Sequence, residues 1–293
     1  MIPAASPRRE GVARQGRGRR RQDGAGAQGT DWMATKSETK GGFLEIVKTI
    51  VYALLLAGVI RTLFFQPFWI PSGSMKPTLL IGDFLFVNKM VYGYSRYSCP
   101  FAWMCPFDGR ILAHDPERGD VVVFRHPTNG TDYIKRLIGL PGDTVQVIDG
   151  ILYINGEVLP QQPDGTFVET NGPQGPMGSM PRCMNRPGLG EDCTAERAIE
   201  TLPGGRTHAV LDIEDGFGDT TPVFTVPAGE FFFMGDNRDN SMDSRFSRSA
   251  GGVGFVPFEN LIGRADRVIF SSGGSSMLAF WTWRPDRFFK SIP

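Results

Sequence analysis

Residues 120–159 read DVVVFRHPTNGTDYIKRLIGLPGDTVQVIDGILYINGEVL, and their pattern decides the fold class. The apolar residues come in short runs (VVVF, YIKRLI, VQVI, ILYI), each stopped by Gly, Pro, Asn or Asp. Such runs, rich in Val, Ile and aromatics and bounded by turn formers, read as strands. Asp149-Gly150 between two of them predicts a two-residue hairpin turn. Strands joined by tight turns pair antiparallel. Similar runs lie outward on both sides: FLFVNKMVYGY (84–94), PVFTVP (222–227), EFFFMG (230–235) and GRADRVIF (263–270). The expected architecture is mainly β, an antiparallel sheet or partly open barrel with a smaller appended β subdomain. Residues 161–221, Gly/Pro-rich and polar with little periodicity, read as an insertion or loop region with few strands.

Toward the N-terminus the pattern changes twice. GFLEIVKTIVYALLLAGVIRTLFFQPFWI (42–70) contains an apolar stretch, taken as 43–66, long enough to cross a bilayer core of ~30 Å as one transmembrane helix. Lys48 and Arg61 then snorkel toward the two interfaces. A cleaved leader ends in a small-residue site, whereas here the bulky RTLFFQPFWIPS follows, so the segment reads as a retained anchor. Residues 1–42 are rich in Arg, Gly, Gln and Ala and cannot bury a core, so they read as a disordered head.

Charge sets the orientation. The 293-residue chain is formally neutral, with 31 Lys+Arg against 31 Asp+Glu, yet residues 1–40 hold nine basic against four acidic residues. The positive-inside rule keeps this basic head cytoplasmic and puts the body, 67–293, on the far side of the membrane. A slightly acidic body argues against nucleic acid as a partner. The lipid bilayer is the expected one, and the aromatic, basic end LAFWTWRPDRFFKSIP (278–293) is expected at its surface.

Four cysteines form two local pairs, Cys99 with Cys105 and Cys183 with Cys193. No C-x-x-C and no histidine cluster accompanies them, which disfavours zinc. They are either reduced thiols or, if the body lies outside the cytosol, two short-loop disulfides.

Reactive groups concentrate in three segments. In IPSGSMKPTLLIGD (70–83) two serines flank a glycine whose backbone lets a substrate approach closely. In DYIKRLIGLPGD (132–143) the strand period sends Lys135 and Arg136 to opposite faces. A lysine in apolar surroundings loses its proton readily and can act as base toward a serine hydroxyl. No carboxylate adjoins Lys135 in the chain; Asp132 sits on the opposite strand face. MGDNRDNSMDSR (234–245) is dense in short polar groups, and its two arginines and missing closing Glu disfavour a calcium loop. Taken singly, each segment is equally a tight connection, a surface cation or a structural turn, and the residues alone do not choose between Ser72 and Ser74. A triad built on His114, His126 or His208 would lack its GxSxG elbow.

In this order, PSGSMKPTL, RGDVVVFRHP, DYIKRLIGLPGD and GDNRDNSMDSR resemble the type I signal peptidases of bacteria, over about residues 43–270. The resemblance implies a membrane-bound serine endopeptidase that cleaves N-terminal signal peptides from exported preproteins after Ala-x-Ala-like sites, with no cofactor and no metal. It assigns Ser74 as nucleophile and Lys135 as general base. Ser72 and the Ser74 N–H would form the oxyanion hole, and Ser241 would hydrogen-bond and orient the lysine amine. Asp243 with Arg245, and Asp236 with Arg136, would be supporting ion pairs. Phe68, Ile70, Pro71 and Ile134 are the candidates for the substrate pockets. The family fold is two antiparallel β domains, the larger one catalytic. The implied location is the bacterial inner membrane, single-pass, with the N-terminus cytoplasmic and the catalytic domain periplasmic. Enterobacterial members carry two spans where this chain shows one. Rival readings are a serine–lysine processing peptidase of narrow substrate range and an inactive β-rich scaffold. Substrate range and oligomeric state stay open.

Overall fold

The computed structural model describes residues 42–99 and 108–293. The expected disordered head, through residue 41, and Cys105 with its expected bond to Cys99 lie outside them. The chain falls into two units, Met1–Val47 and Lys48–Pro293. Everything below, apart from the first residues of one helix, belongs to the second.

That helix, α1 (Gly42–Leu63), is 22 residues long, about 33 Å at the α-helical rise. Its most apolar 18 residues have a mean hydropathy of 2.1, and none of its residues is buried. By length and composition it can cross a membrane. It stops three residues short of the expected limit, because Phe65 already belongs to a strand.

The main sheet has seven strands in the order β1 (Phe65–Trp69), β2 (Asp83–Asn88), β16 (Leu261–Ser271), β5 (Val121–Arg125), β6 (Asp132–Gly139), β14 (Glu230–Met234) and β15 (Val256–Pro257). Every neighbouring pair is antiparallel. The sheet curls into a half-barrel that stays open between β1 and β15. β3 (Tyr94–Ser95) and β4 (Arg110–Ile111) form a separate two-stranded ribbon. Strand β2 ends at Asn88, so the run expected through Tyr94 is broken.

The appended β structure begins with β7 (Thr144–Ile148) and β8 (Ile151–Ile154), joined through Asp149 (φ 49°) and Gly150 (φ 76°). Both central residues are left-handed, as a type I′ turn requires. β9 (Glu157–Val158) and β13 (Phe224–Thr225) complete a four-stranded sheet. Its inner residues Val145, Val147, Leu152 and Ile154 pack with Ile138, Phe232 and Met234 from the main sheet.

The reading of 161–221 as a region with few strands is corrected by the structure. It holds a three-stranded antiparallel sheet of β10 (Gln161–Thr170), β11 (Asp192–Thr201) and β12 (Thr207–Asp212). The signal was masked because charged residues hold inward positions, with Glu200 and His208 buried on β11 and β12. Cys183 and Cys193 form a disulfide at the start of β11.

This sheet grips the turn between β1 and β2. Lys76, 2 % exposed, donates to both carboxylate oxygens of Glu169 on β10 at 2.6 Å and to Gln174 Oε1 at 3.1 Å. Removing one partner of a buried pair strands the other charge, which costs about 3–5 kcal/mol, whereas an apolar replacement of both is close to neutral. Lys76→Met and Glu169→Met should therefore each lower the urea midpoint of the detergent-solubilised chain, and the double variant should recover most of the loss. Additive losses in the double variant would show that the pair is not coupled.

Candidate active site

The connection from β1 to β2 carries Ser72 and Ser74. Its ends are closed by Ile70 N–H to Asp83 O and Gly82 N–H to Ile70 O, both 2.9 Å. Met75 and Leu79, 1 % and 0 % exposed, plug it into the core beneath β1, β2 and β16. At Gly82 (φ 90°) a Cβ would lie 1.9 Å from the Ser272 carbonyl, so only glycine fits. Asp83 is gripped from the chain's far end by Arg287, whose Nε lies 3.0 Å from Oδ1 and Nη2 2.5 Å from Oδ2. The terminal segment is thus anchored by a buried ion pair, while Leu278, Phe280, Trp281 and Phe289 are exposed.

Strand β6 supplies the lysine. Pairing of Val122 with Lys135 and of Val121 with Arg136 sets the register against β5. Lys135 then meets the serine turn: its Nζ lies 2.5 Å from Ser74 Oγ, with both side chains buried. Ser72 Oγ is 3.4 Å from Ser74 Oγ on an exposed residue. Burial pushes the Lys135 amine down to about 8, Asp243 and Asp236 pull it part of the way back, and Arg245 opposes them. The sequence showed no carboxylate near Lys135 in the chain; folding brings these two from a loop some hundred residues away.

That loop, Asp236–Arg245, follows β14. Asn237 N–H donates to the Ser74 carbonyl at 3.1 Å, and its Nδ2 donates to the Gly73 carbonyl at 3.2 Å. A Cβ on Gly235 would lie 2.3 Å from Ser241 Oγ and 2.5 Å from the Ser74 carbonyl, so a glycine is required for this approach. The hydrogen bond expected from Ser241 to Lys135 is not formed. Ser241 Oγ is buried and, among the described residues, meets no partner in hydrogen-bonding geometry; it sits near enough to Asp243 to favour that carboxylate's charged form.

Beneath the loop lies a layer of paired charges. Arg136, fully buried, holds Asp236 through two bonds of 2.8 Å and also donates to the Gly119 and Pro293 carbonyls. Arg245 holds Asp243 through two bonds of 3.0 Å. Arg238 donates to Glu200 at 2.6 Å. Burial would raise Asp236 and Asp243, but the guanidinium beside each wins and holds it below the usual carboxylate range. His208 Nε2 lies 3.4 Å from Glu200 and 3.9 Å from Asp236, within the layer.

Of the expected pocket residues, Phe68 and Ile134 are half-buried and Pro71 is exposed. Ile70 is 2 % exposed and part of the core, a floor more than a wall. Sequence reasoning missed Asn237, Lys76, Glu169, Glu200, His208 and Arg238. The density of GDNRDN marked two of these segmentally; nothing in the linear sequence pairs the others.

A serine hydroxyl against a buried amine whose pKa is lowered can be deprotonated and attack a carbonyl, the chemistry of a serine hydrolase that uses no histidine. The family model "Signal peptidase, peptidase S26" matches residues 43–270. Signal peptidase I of Rickettsia typhi is 42% identical over 234 residues, covering 76% of this chain and 79% of its own. That of Rickettsia canadensis is 42% identical over 247 residues, covering 81% and 84%. A crystal structure of a signal peptidase I from Enterococcus faecalis aligns with 27% identity over 52% of this chain and 97% of its own, at a TM-score of 0.27. The chain belongs to the signal peptidase family, peptidase S26, and is a serine peptidase that removes signal peptides.

The charge layer has a pH consequence. Burial and Arg136 lower His208 to about 4, against the pull of Asp236 and Glu200. The unfolded histidine titrates near ~6.5. Between these values the unfolded chain binds a proton that the folded chain refuses, so stability falls as pH drops from about 6.5 toward 4. His208→Gln should show a shallower fall of melting temperature across that interval than the parent. Parallel slopes would contradict the assignment.

Proposed function

We propose that this chain is a membrane-anchored endopeptidase that cuts signal peptides from exported preproteins with Ser74 as nucleophile and Lys135 as general base. The observation that carries the reading is the 2.5 Å approach of the two groups in a buried setting that lowers the lysine to about 8. With the amine neutral, the Ser74 hydroxyl donates its hydrogen bond to Nζ. As Oγ adds to the carbonyl carbon, its proton passes to Lys135. The oxyanion is received by the Ser72 hydroxyl and the Ser74 N–H. The Lys135 ammonium then gives its proton to the departing nitrogen, the C–N bond breaks, and the signal peptide remains as an ester on Ser74. A water molecule, deprotonated by the same amine, attacks the ester and restores the serine.

Asn237 fixes the carbonyls on both sides of Ser74, so a turn with two glycine-adjacent serines keeps one geometry. Ser241 lies buried close to the Ser74 carbonyl, and the Asp236–Arg136 and Asp243–Arg245 pairs are assigned to supporting the loop. Shallow apolar pockets at Phe68, Pro71 and Ile134, floored by Ile70, would select small residues before the cut by excluding larger ones. Helix α1 would hold the site close to the bilayer, where signal peptides end. The basic head places the N-terminus in the cytoplasm and the catalytic body outside the inner membrane.

Ser74→Ala and Lys135→Ala should each reduce cleavage of an Ala-x-Ala preprotein by at least ~10³-fold while leaving the melting transition in place, because nucleophile and base act as one unit. Product masses from detergent-solubilised protein decide it. Near-normal turnover by Lys135→Ala would remove the lysine from the mechanism.

A further inference from the structure

The loop that carries Ser241 has a second face. A cavity of about 430 Å³ lies between residues 238–242 and the turn Glu214–Gly218. Two buried side chains on its wall have unused hydrogen-bonding capacity among the described residues: Ser241 through Oγ, and Arg238 through Nε and Nη1. They are 5 % and 7 % exposed. Buried polar groups of this kind cost free energy until a partner meets them. On the opposite wall Phe217, between two glycines, is fully exposed; Met242, on the same wall as Ser241, is 45 % exposed. Arg182 braces the rim by pairing with Glu214 and donating to the Asp239 carbonyl.

The reaction proposed above restricts what can arrive there, and the inference rests on that reading. The acyl half of the substrate stays on Ser74. The departing nitrogen must reach Lys135 Nζ to take up a proton, so the polypeptide beyond it leaves on the lysine side. That side is flanked by the Asp236–Asp243 loop, whose carboxylates act on the lysine. One point, the Cβ position of Gly235, lies within 2.5 Å of both Ser241 Oγ and the Ser74 carbonyl, so the cavity wall adjoins the nucleophile.

We propose that the cavity is the subsite for the first residues of the mature protein, held as an extended segment. Arg238 and Ser241 donate to its main-chain carbonyls, which is independent of sequence. Phe217 and Met242 pack against one side chain and favour an apolar or aromatic residue. A fixed leaving segment also keeps the scissile nitrogen over the lysine through proton transfer.

The test uses two peptides with the same Ala-x-Ala segment before the cut, one continuing six residues beyond it and one ending in a small fluorogenic amide. In the full chain in detergent, kcat/KM should be higher for the long peptide. Phe217→Ala should reduce the ratio of long to short by ~5–10-fold, the worth of one aromatic contact. Phe217 is fully exposed, so its truncation leaves the fold intact. A ratio that is unity in the parent chain, or unchanged by Phe217→Ala, would overturn the subsite. If the parent chain cut neither peptide, the proposed function itself would fail.

Discussion

Burying a lysine amine against a serine hydroxyl works only if the amine can give up its proton, and much of the surrounding structure serves that constraint. Desolvation lowers Lys135. The loop that fixes the serine turn also brings Asp236 and Asp243 into the neighbourhood, and two free carboxylates would return the proton to the lysine. Each is instead committed to an arginine through two hydrogen bonds. The ion pairs therefore do two things at once. They hold the loop and they cancel its charge, leaving burial as the dominant influence on the amine. Strand alternation on β6 makes this compact, sending Lys135 to Ser74 and its neighbour Arg136 to Asp236.

The same logic extends outward into the inserted sheet. Glu200 neutralises Arg238, and His208 stays uncharged between two carboxylates and the arginines. On the other bank Glu169 neutralises Lys76 directly after the serine turn. The three-stranded sheet thus contributes counter-charges beside its own apolar cluster of Ala195, Leu211 and Ile213. Buried pairs of this kind add little net stability, but each is costly to break, so they fix one arrangement against alternatives.

What could be read in the sequence follows from these facts. The strands Val121–Arg125 and Asp132–Gly139 and the Asp149-Gly150 hairpin were legible because their inward positions are apolar and their turns use residues that tolerate positive φ. The strands Gln161–Thr170, Asp192–Thr201 and Thr207–Asp212 were not, because Glu200 and His208 occupy buried positions where a pattern reader expects Val or Ile. Lys76 looks like a surface cation until Glu169, 93 residues away, is brought to it. The segments holding Ser74, Lys135 and Asp236–Arg245 stood out as chemically dense, yet only folding brings Lys135 to Ser74 and leaves Ser72 on the exposed side.

The central claim is that Lys135 works as a neutral base because burial weakens its hold on the proton. The direct measurement is kcat/KM against pH for the detergent-solubilised chain on an Ala-x-Ala peptide, since that profile reports the free enzyme's essential groups. A base must be unprotonated to act, so activity should rise with pH along one limb centred on about 8. A limb near ~10.4 would mean that the amine is not desolvated, and one near ~6.5 would point to a histidine. Either result would contradict the account.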